Sequence, residues 1–299
     1  MSYFKVLKAG VLTTIQDLGR FGYADIGISQ SGAMDEEAFL WCNKLLQNSP
    51  NTNMIEITYG NFEIESFGNS IFCLTGAKAD IWLNDKKIER YRCYKITKGD
   101  RLKIGFVKSG VRVYFGIKGG FLDKKELNSY SVSIKEDIKR AIKNNDKLLF
   151  NNTTSRILSF LKQEYIPKYS NNLTLRVLLG YESRLFKLKE LEHFFKTTYT
   201  IKSHNRMGYI LNGLKIDTSN IEIISNPIAF GSIQITTSGN PIILLKERQS
   251  IGGYPKIGSI IPTDCFKLSQ LKEGNSINFK EISLKEATKI TKNFYKQFF

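Results

Sequence analysis

The sequence predicts a mainly β protein of barrel or sandwich type, organised as two domains with a few short helices. Three observations carry this expectation. Short runs of alternating apolar residues recur along the chain, and Gly, Asn and Asp pairs punctuate them. A Lys- and Asn-rich stretch from Asp123 to Asn172 also separates a strand-rich first half from a strand-rich second half. A chain of 299 residues can bury a core in each half, so the expected domains are 1–150 and 151–299.

In the first half, Ile55, Ile57 and Tyr59 alternate, and Phe62 and Ile64 continue the pattern beyond Gly60-Asn61, a pair suited to a tight hairpin turn. Ser70 to Leu74, Ala79 to Leu83 and Tyr91 to Ile96 read as further strands, with turns at Asn84-Asp85 and Gly99-Asp100. In the second half, strands are expected over Leu173 to Leu179, Tyr209 to Leu211, Ile221 to Ile224, Ser232 to Thr236, Ile242 to Leu245 and Ser276 to Glu281. Three helices are expected. Asp35 caps one that runs through Gln47, with Glu36 and Glu37 against its positive end; the others cover Arg184 to Phe195 and Leu284 to Phe298.

Composition narrows the function. A hydrophobic content of 41% is that of a folded soluble protein, and no apolar run approaches the roughly 20 residues that cross a bilayer. The amino terminus lacks the pattern of a secretory signal, so cytoplasmic residence is expected. Cys42, Cys73, Cys93 and Cys265 are scattered and read as small buried hydrophobes, and His193 and His204 lie on different elements, so no metal site is expected. The net charge of +16 comes from lysines spread over nearly every segment, which argues against nucleic acid as a partner.

Four segments are candidates for chemistry. In the first, Thr13 to Tyr23, glycines are too frequent for regular structure; Asp17 and Arg20 could serve a ligand or simply pair with each other. In the second, Ser203 to Gly208, Arg206 could clamp an anion and Asn205 present an amide, against the plainer reading of a polar turn. In the third, Gln234 shares a strand face with Ser232 and Thr236, a polar row that suits a bound polar ligand in a barrel interior or else faces solvent. The fourth is Lys246 to Tyr254, where an apolar strand breaks into charge. Here Glu247 is a candidate general base, Lys246 and Arg248 could stabilise negative charge, and Gly252-Gly253 would let backbone approach a ligand, or the whole run is a surface charge cluster.

In order, Thr13-Thr14-Ile15-Gln16-Asp17-Leu18-Gly19-Arg20-Phe21-Gly22, Ser31-Gly32-Ala33-Met34-Asp35, Asn205-Arg206-Met207-Gly208 and Arg248-Gln249 with Gly252-Gly253-Tyr254-Pro255 resemble the allophanate hydrolase subunit 2 family, across nearly the whole chain. The resemblance implies two cyclophilin-like β-barrel domains and partner chains, homologues of the A and B subunits of 5-oxoprolinase. It implies ATP-dependent opening of 5-oxo-L-proline to L-glutamate, the lactam carbonyl being phosphorylated and then hydrolysed. On that reading Glu247, Arg248 and Gln249 carry catalysis, while Asp17, Arg20, Asn205, Arg206, Gln234, Gly252, Gly253 and Tyr254 bind substrate in one pocket or interface drawn from both halves. Two features depart from the family pattern. Leu127 to Ile134 and the Lys-rich sequence after it replace a glycine-rich stretch, and Glu247 stands where the family carries aspartate. The resemblance also admits a carboxyltransferase component working with biotin held on a separate carrier, or a regulatory protein that sequesters a homologue of the B subunit.

Overall fold

The computed structural model describes residues 2–155 and 159–299. The chain forms two compact units. One runs to Arg20 and from Ser31 to Tyr169; the other includes Phe21–Gln30 and runs from Ser170 to Gln297.

The first unit contains β1 (Ser2–Lys8), β2 (Leu12–Gln16), α1 (Glu36–Leu45), β3 (Met54–Thr58), β4 (Gly60–Ser66), β5 (Ser70–Leu83), β6 (Lys86–Ile88), β7 (Cys93–Ile96), β8 (Arg101–Ile117) and β9 (Lys147–Phe150). The strands form one curled sheet in the order β2-β3-β8-β4-β1-β9, with β5 along the other edge of β8 and β6 and β7 paired to β5. The Asp35 cap is as expected, its carboxylate accepting from Ala38 N at 3.1 Å. Phe4 stacks on Phe150 at 4.3 Å and meets Phe115 edge-on at 5.7 Å, at the centre of a core that includes Ile55, Phe62, Phe72 and Ile104. Each such side chain contributes about 2 kcal/mol by leaving water.

Gly60-Asn61 does not reverse the chain. Both residues take positive φ, 74° and 60°, but β3 and β4 follow one another along the same edge of β8. Thr58 pairs with Arg112 and Gly60 with Phe106, so residues 107–111 of β8 bulge opposite Tyr59. A Cβ at Gly60 would fall 2.1 Å from Gly105 O. The kink and bulge bend the sheet, which is how a long antiparallel ribbon curls around its core. Likewise Ser70–Leu83 is one strand, not two, with register shifts after Gly76 in place of a break. Leu12–Gln16, expected within a loop, is a strand paired to β3.

The second unit contains β10 (Asn172–Leu179), α2 (Leu188–Lys196), β11 (Tyr199–His204), β12 (Gly208–Asn212), β13 (Asn226–Pro227), β14 (Ser232–Ile235), β15 (Pro241–Leu244), β16 (Ile251–Gly252), β17 (Lys256–Ile260), α3 (Pro262–Leu268), β18 (Ser276–Glu281) and α4 (Leu284–Tyr295). Seven strands close a barrel in the order β10-β17-β14-β15-β12-β11-β18, and a parallel pairing of β10 with β18 completes it. Val177, Tyr209, Leu211, Ile233, Ile235, Ile243, Ile257 and Ile277 are all fully buried, and strand alternation places them inside. The expected helix over 184–195 is divided: Tyr181–Leu185 is a 3-10 turn, and α2 starts at Leu188 and stacks Phe194 on Phe279 at 4.4 Å. The expected strand at 221–224 is absent, and Ile224 is 89% exposed.

Candidate functional site

The outer face of the barrel carries a cavity of about 480 Å³. Because Ile233, Ile235 and Ile243 point inward, their neighbours Gln234, Ile242 and Leu244 point outward, and these three form its floor with Ile210. The polar row of Ser232 and Gln234 thus lies outside the barrel, not in its interior. Both are nonetheless buried: β16 covers Gln234 at Gly252, and Ser232 Oγ lies 3.4 Å from Ser259 Oγ of β17. Ser203, His204, Asn205 and Met207 form one wall; Gln249, Gly252, Gly253 and Tyr254 form the roof.

Gly252 is required by a close approach, not by a special φ. A Cβ there would lie 2.9 Å from Gln234 Nε2 and 2.8 Å from Ile228 Cδ1, so the roof rests on the Gln234 amide, which donates to Tyr254 O at 3.4 Å. Asn205 turns the chain from β11 into β12: its Oδ1 accepts from Met207 N at 2.8 Å and Gly208 N at 3.1 Å. Among the described residues its amide nitrogen has no protein acceptor, and the exposed Gln249 carboxamide makes no hydrogen bond to protein. Three carboxamides therefore border an apolar floor with hydrogen-bonding capacity the protein does not use. Among the described residues no Asp, Glu, Lys or Arg lines the cavity.

The charged run before Gln249 is stitched into the fold. Leu245 N donates to Met207 O and Glu247 N to Arg206 O, at 2.8 and 2.9 Å, and Arg206 Nε meets Glu247 Oε1 at 2.5 Å with both side chains buried. Arg248 donates to Ile228 O at 2.9 Å and Leu245 O at 3.2 Å, and burial lowers its affinity for its proton. Lys246 and Arg248 both lie over the Phe230 ring, at 4.9 and 6.0 Å. Of this run only Gln249 reaches the cavity. Glu247, expected as a base, sits in an ion pair that fixes the loop, and Arg206 is its partner.

Asp17 and Arg20 belong to the first unit and are not among the residues lining this cavity. Asp17 Oδ1 accepts from Ser129 Oγ and Ser131 Oγ, both at 2.6 Å, and from Gly19 N at 2.8 Å; Oδ2 accepts from Tyr130 N at 2.8 Å. Arg20 donates to Ser131 O, and Gln16 Nε2 to Val132 O at 3.1 Å. The Leu127 to Ile134 segment, set apart above as a departure, thus grips the first signature. The second signature is held too: Tyr114 Oη donates to Glu56 Oε2 at 2.6 Å and accepts from Asp35 N at 2.7 Å. Burial, with the Glu56 and Asp35 charges beside it, pushes the Tyr114 phenol well up.

Sequence reasoning missed Ser129 and Ser131, whose alternate spacing was their only signal, and it set His204 aside although it lines the cavity and stacks on Tyr209 at 4.9 Å. Among the described residues no group of His, Cys, Asp and Glu could hold a metal ion. All four cysteines are free and buried, as expected. No described helix is long and apolar enough to cross a membrane.

Comparison with known proteins places this chain in a class. The model of the carboxyltransferase domain, subdomain A and B, matches residues 26–281, and the chain belongs to that family. The C subunit of the 5-oxoprolinase of Haemophilus influenzae is 35% identical over 95% of this chain and 93% of its own length, and that of Escherichia coli is 31% identical over the same shares. The urea amidolyase of Saccharomyces cerevisiae is 28% identical over 93% of this chain, which spans 16% of that longer protein. Among solved structures, the Kluyveromyces lactis urea carboxylase superposes with a TM-score of 0.89 over 99% of this chain and 29% of its own, and the K. lactis urea amidolyase with 0.88 over 99% and 20%. Both are 24% identical, so the likeness is one of fold.

Proposed function

We propose that this chain is a subunit of a cytoplasmic, ATP-dependent 5-oxoprolinase that opens 5-oxo-L-proline to L-glutamate together with homologues of the A and B subunits. The observation that carries this reading is the 35% identity to a 5-oxoprolinase C subunit over 95% of this chain and 93% of that one. The cavity chemistry supports it. Asn205, Gln234 and Gln249 offer neutral donors and acceptors that suit a small cyclic amide, and the apolar floor suits its ring methylenes. The lining does not fit a triphosphate, since among the described residues no Lys or Arg faces it, so ATP binds elsewhere, on a partner or at an interface with one. Ser203 and His204 bring a hydroxyl and an imidazole to the lining, and with no carboxylate among the described residues beside them this chain binds and orients while partner residues complete the chemistry.

The test is ATP-dependent glutamate formation from 5-oxo-L-proline by this chain mixed with cognate A and B subunits. Activity only in the full mixture is expected; no activity with every subunit folded overturns the reading. The likeness to urea amidolyase favours a second reading, a carboxyltransferase component. The same carboxamides fit the ureido ring of biotin, which would supply an activated carboxyl group. Carboxyl transfer from a biotinylated carrier, with no oxoprolinase activity, would establish it.

A further inference from the structure

The ribbon that roofs the cavity has little to hold it. β13 and β16 form only two residue pairs, Asn226 with Gly252 and Pro227 with Ile251, and an isolated ribbon of that size is not stable in water. Its outer side faces solvent, with Ile251 57% exposed. One end is fastened where Ile228 N donates to Ser250 O at 2.9 Å and Arg248 grips Ile228 O. The other end meets a carboxylate that is 2% exposed and to which the functional reading assigns no part, that of Glu182.

Glu182 Oε2 accepts from Lys256 N at 2.8 Å, and Oε1 lies 2.7 Å from Lys256 Nζ, so the carboxylate is anchored to barrel strand β17. Oε1 also accepts from Asn226 Nδ2, at 3.2 Å. Asn226 is the residue paired with Gly252, which rests on Gln234. Lys256 stands opposite Gln234 in the register of β14 and β17. A single buried carboxylate therefore joins the barrel wall beside Gln234 to the strand that carries the roof. Replacing a buried ion pair by an apolar pair is often neutral or stabilising, so the pair alone does not account for a carboxylate here, and the join is what Glu182 adds.

We propose that Glu182 is a positioning residue, a latch that acts through Asn226 to hold Gly252, Gly253 and Tyr254 over the cavity. This rests on the cavity being the ligand site, but the latch has a readout that needs no ligand. Asn226→Ala cuts the ribbon arm and leaves the Glu182–Lys256 pair intact; Asn226→Asp sets a second carboxylate against the first. Amide hydrogen exchange of the full chain is then followed at Gly252, Gly253 and Tyr254, with Tyr209 and Ile243 inside the barrel as reference. Exchange at the roof should rise roughly tenfold in Asn226→Ala, as loss of one charge-assisted hydrogen bond implies, and further in Asn226→Asp, with the barrel amides unchanged. Roof exchange unchanged in both folded variants, or a rise spread equally over the barrel, overturns the latch. A negative oxoprolinase assay with a loosened roof would reject the reaction and keep the latch.

Discussion

The Asp17 cluster of the first unit and the cavity of the second contain similar polar residues in opposite conditions. Asp17 is buried with four donors on its two oxygens, and the serines that hold it are themselves fully buried. Asn205 and Gln249 lie at a concave surface with donors that meet no acceptor among the described residues. A fully satisfied carboxylate has little left to offer a ligand, whereas a carboxamide with unused capacity beside an apolar floor does. Two motifs equally suggestive in the sequence thus separate into a satisfied structural joint and a concave surface with unused hydrogen-bonding capacity.

The largest expected effect would break this contrast at its structural side. Asp17→Ala strands the Ser129 and Ser131 hydroxyls and two backbone amides in a buried site, and should cost about 4 kcal/mol, a fall of about 10 °C in Tm by calorimetry. A Tm within about 3 °C of the parent would show that Asp17 is not a joint. Glu247→Ala comes next, at about 3 kcal/mol, because it takes the carboxylate away from the buried Arg206 guanidinium. Arg206→Met with Glu247→Leu should recover most of that loss, which a catalytic carboxylate would not permit in the assembled-complex assay.

The motifs were legible in the sequence, but their conditions were not. Hydrophobic alternation located β3, β10, β14 and β18, because a period of two survives without tertiary context. It failed at Gly60-Asn61, where the same positive φ values serve a kink within a continuing edge instead of a reversal. Gln234 was found as a polar residue on a short strand, but which side of the barrel it faces depends on Ile233 and Ile235 packing inward, and its burial depends on a ribbon that is local only in space. Glu247 looked like a base for want of its partner: Arg206 lies 41 residues away in sequence. Glu182 left no signal at all, since nothing in the order of residues joins it to Lys256 and Asn226.

A smaller effect is expected from acid. Burial pushes the Glu182 carboxyl up, but its bonds to the Lys256 side chain and backbone and to Tyr181 hold it below the usual range. A depressed folded value means that the stabilisation is complete above the unfolded value of about 4.3 and is lost as pH falls through the folded one. The parent should thus be more stable than Glu182→Gln at pH 7, and denaturant titrations should show the gap closing below about pH 4. A gap that stays constant into acid would mean that Glu182 is not ionised in the fold.

The smallest effect on stability belongs to the cavity. Gln249→Ala should change stability by less than about 0.5 kcal/mol, as an exposed side chain without protein partners must, while lowering assembled-complex activity about tenfold. Arg248→Ala should lower both, because its guanidinium ties two loops together.

The barrel is closed by its first and last strands, Asn172–Leu179 and Ser276–Glu281, side by side and parallel. On a ribosome, therefore, this unit cannot seal until Glu281 has emerged, although the strands of the first unit are complete at Phe150. During that interval the inward faces of β14 and β15 are made but uncovered, so the second half keeps its apolar surface exposed longest during synthesis.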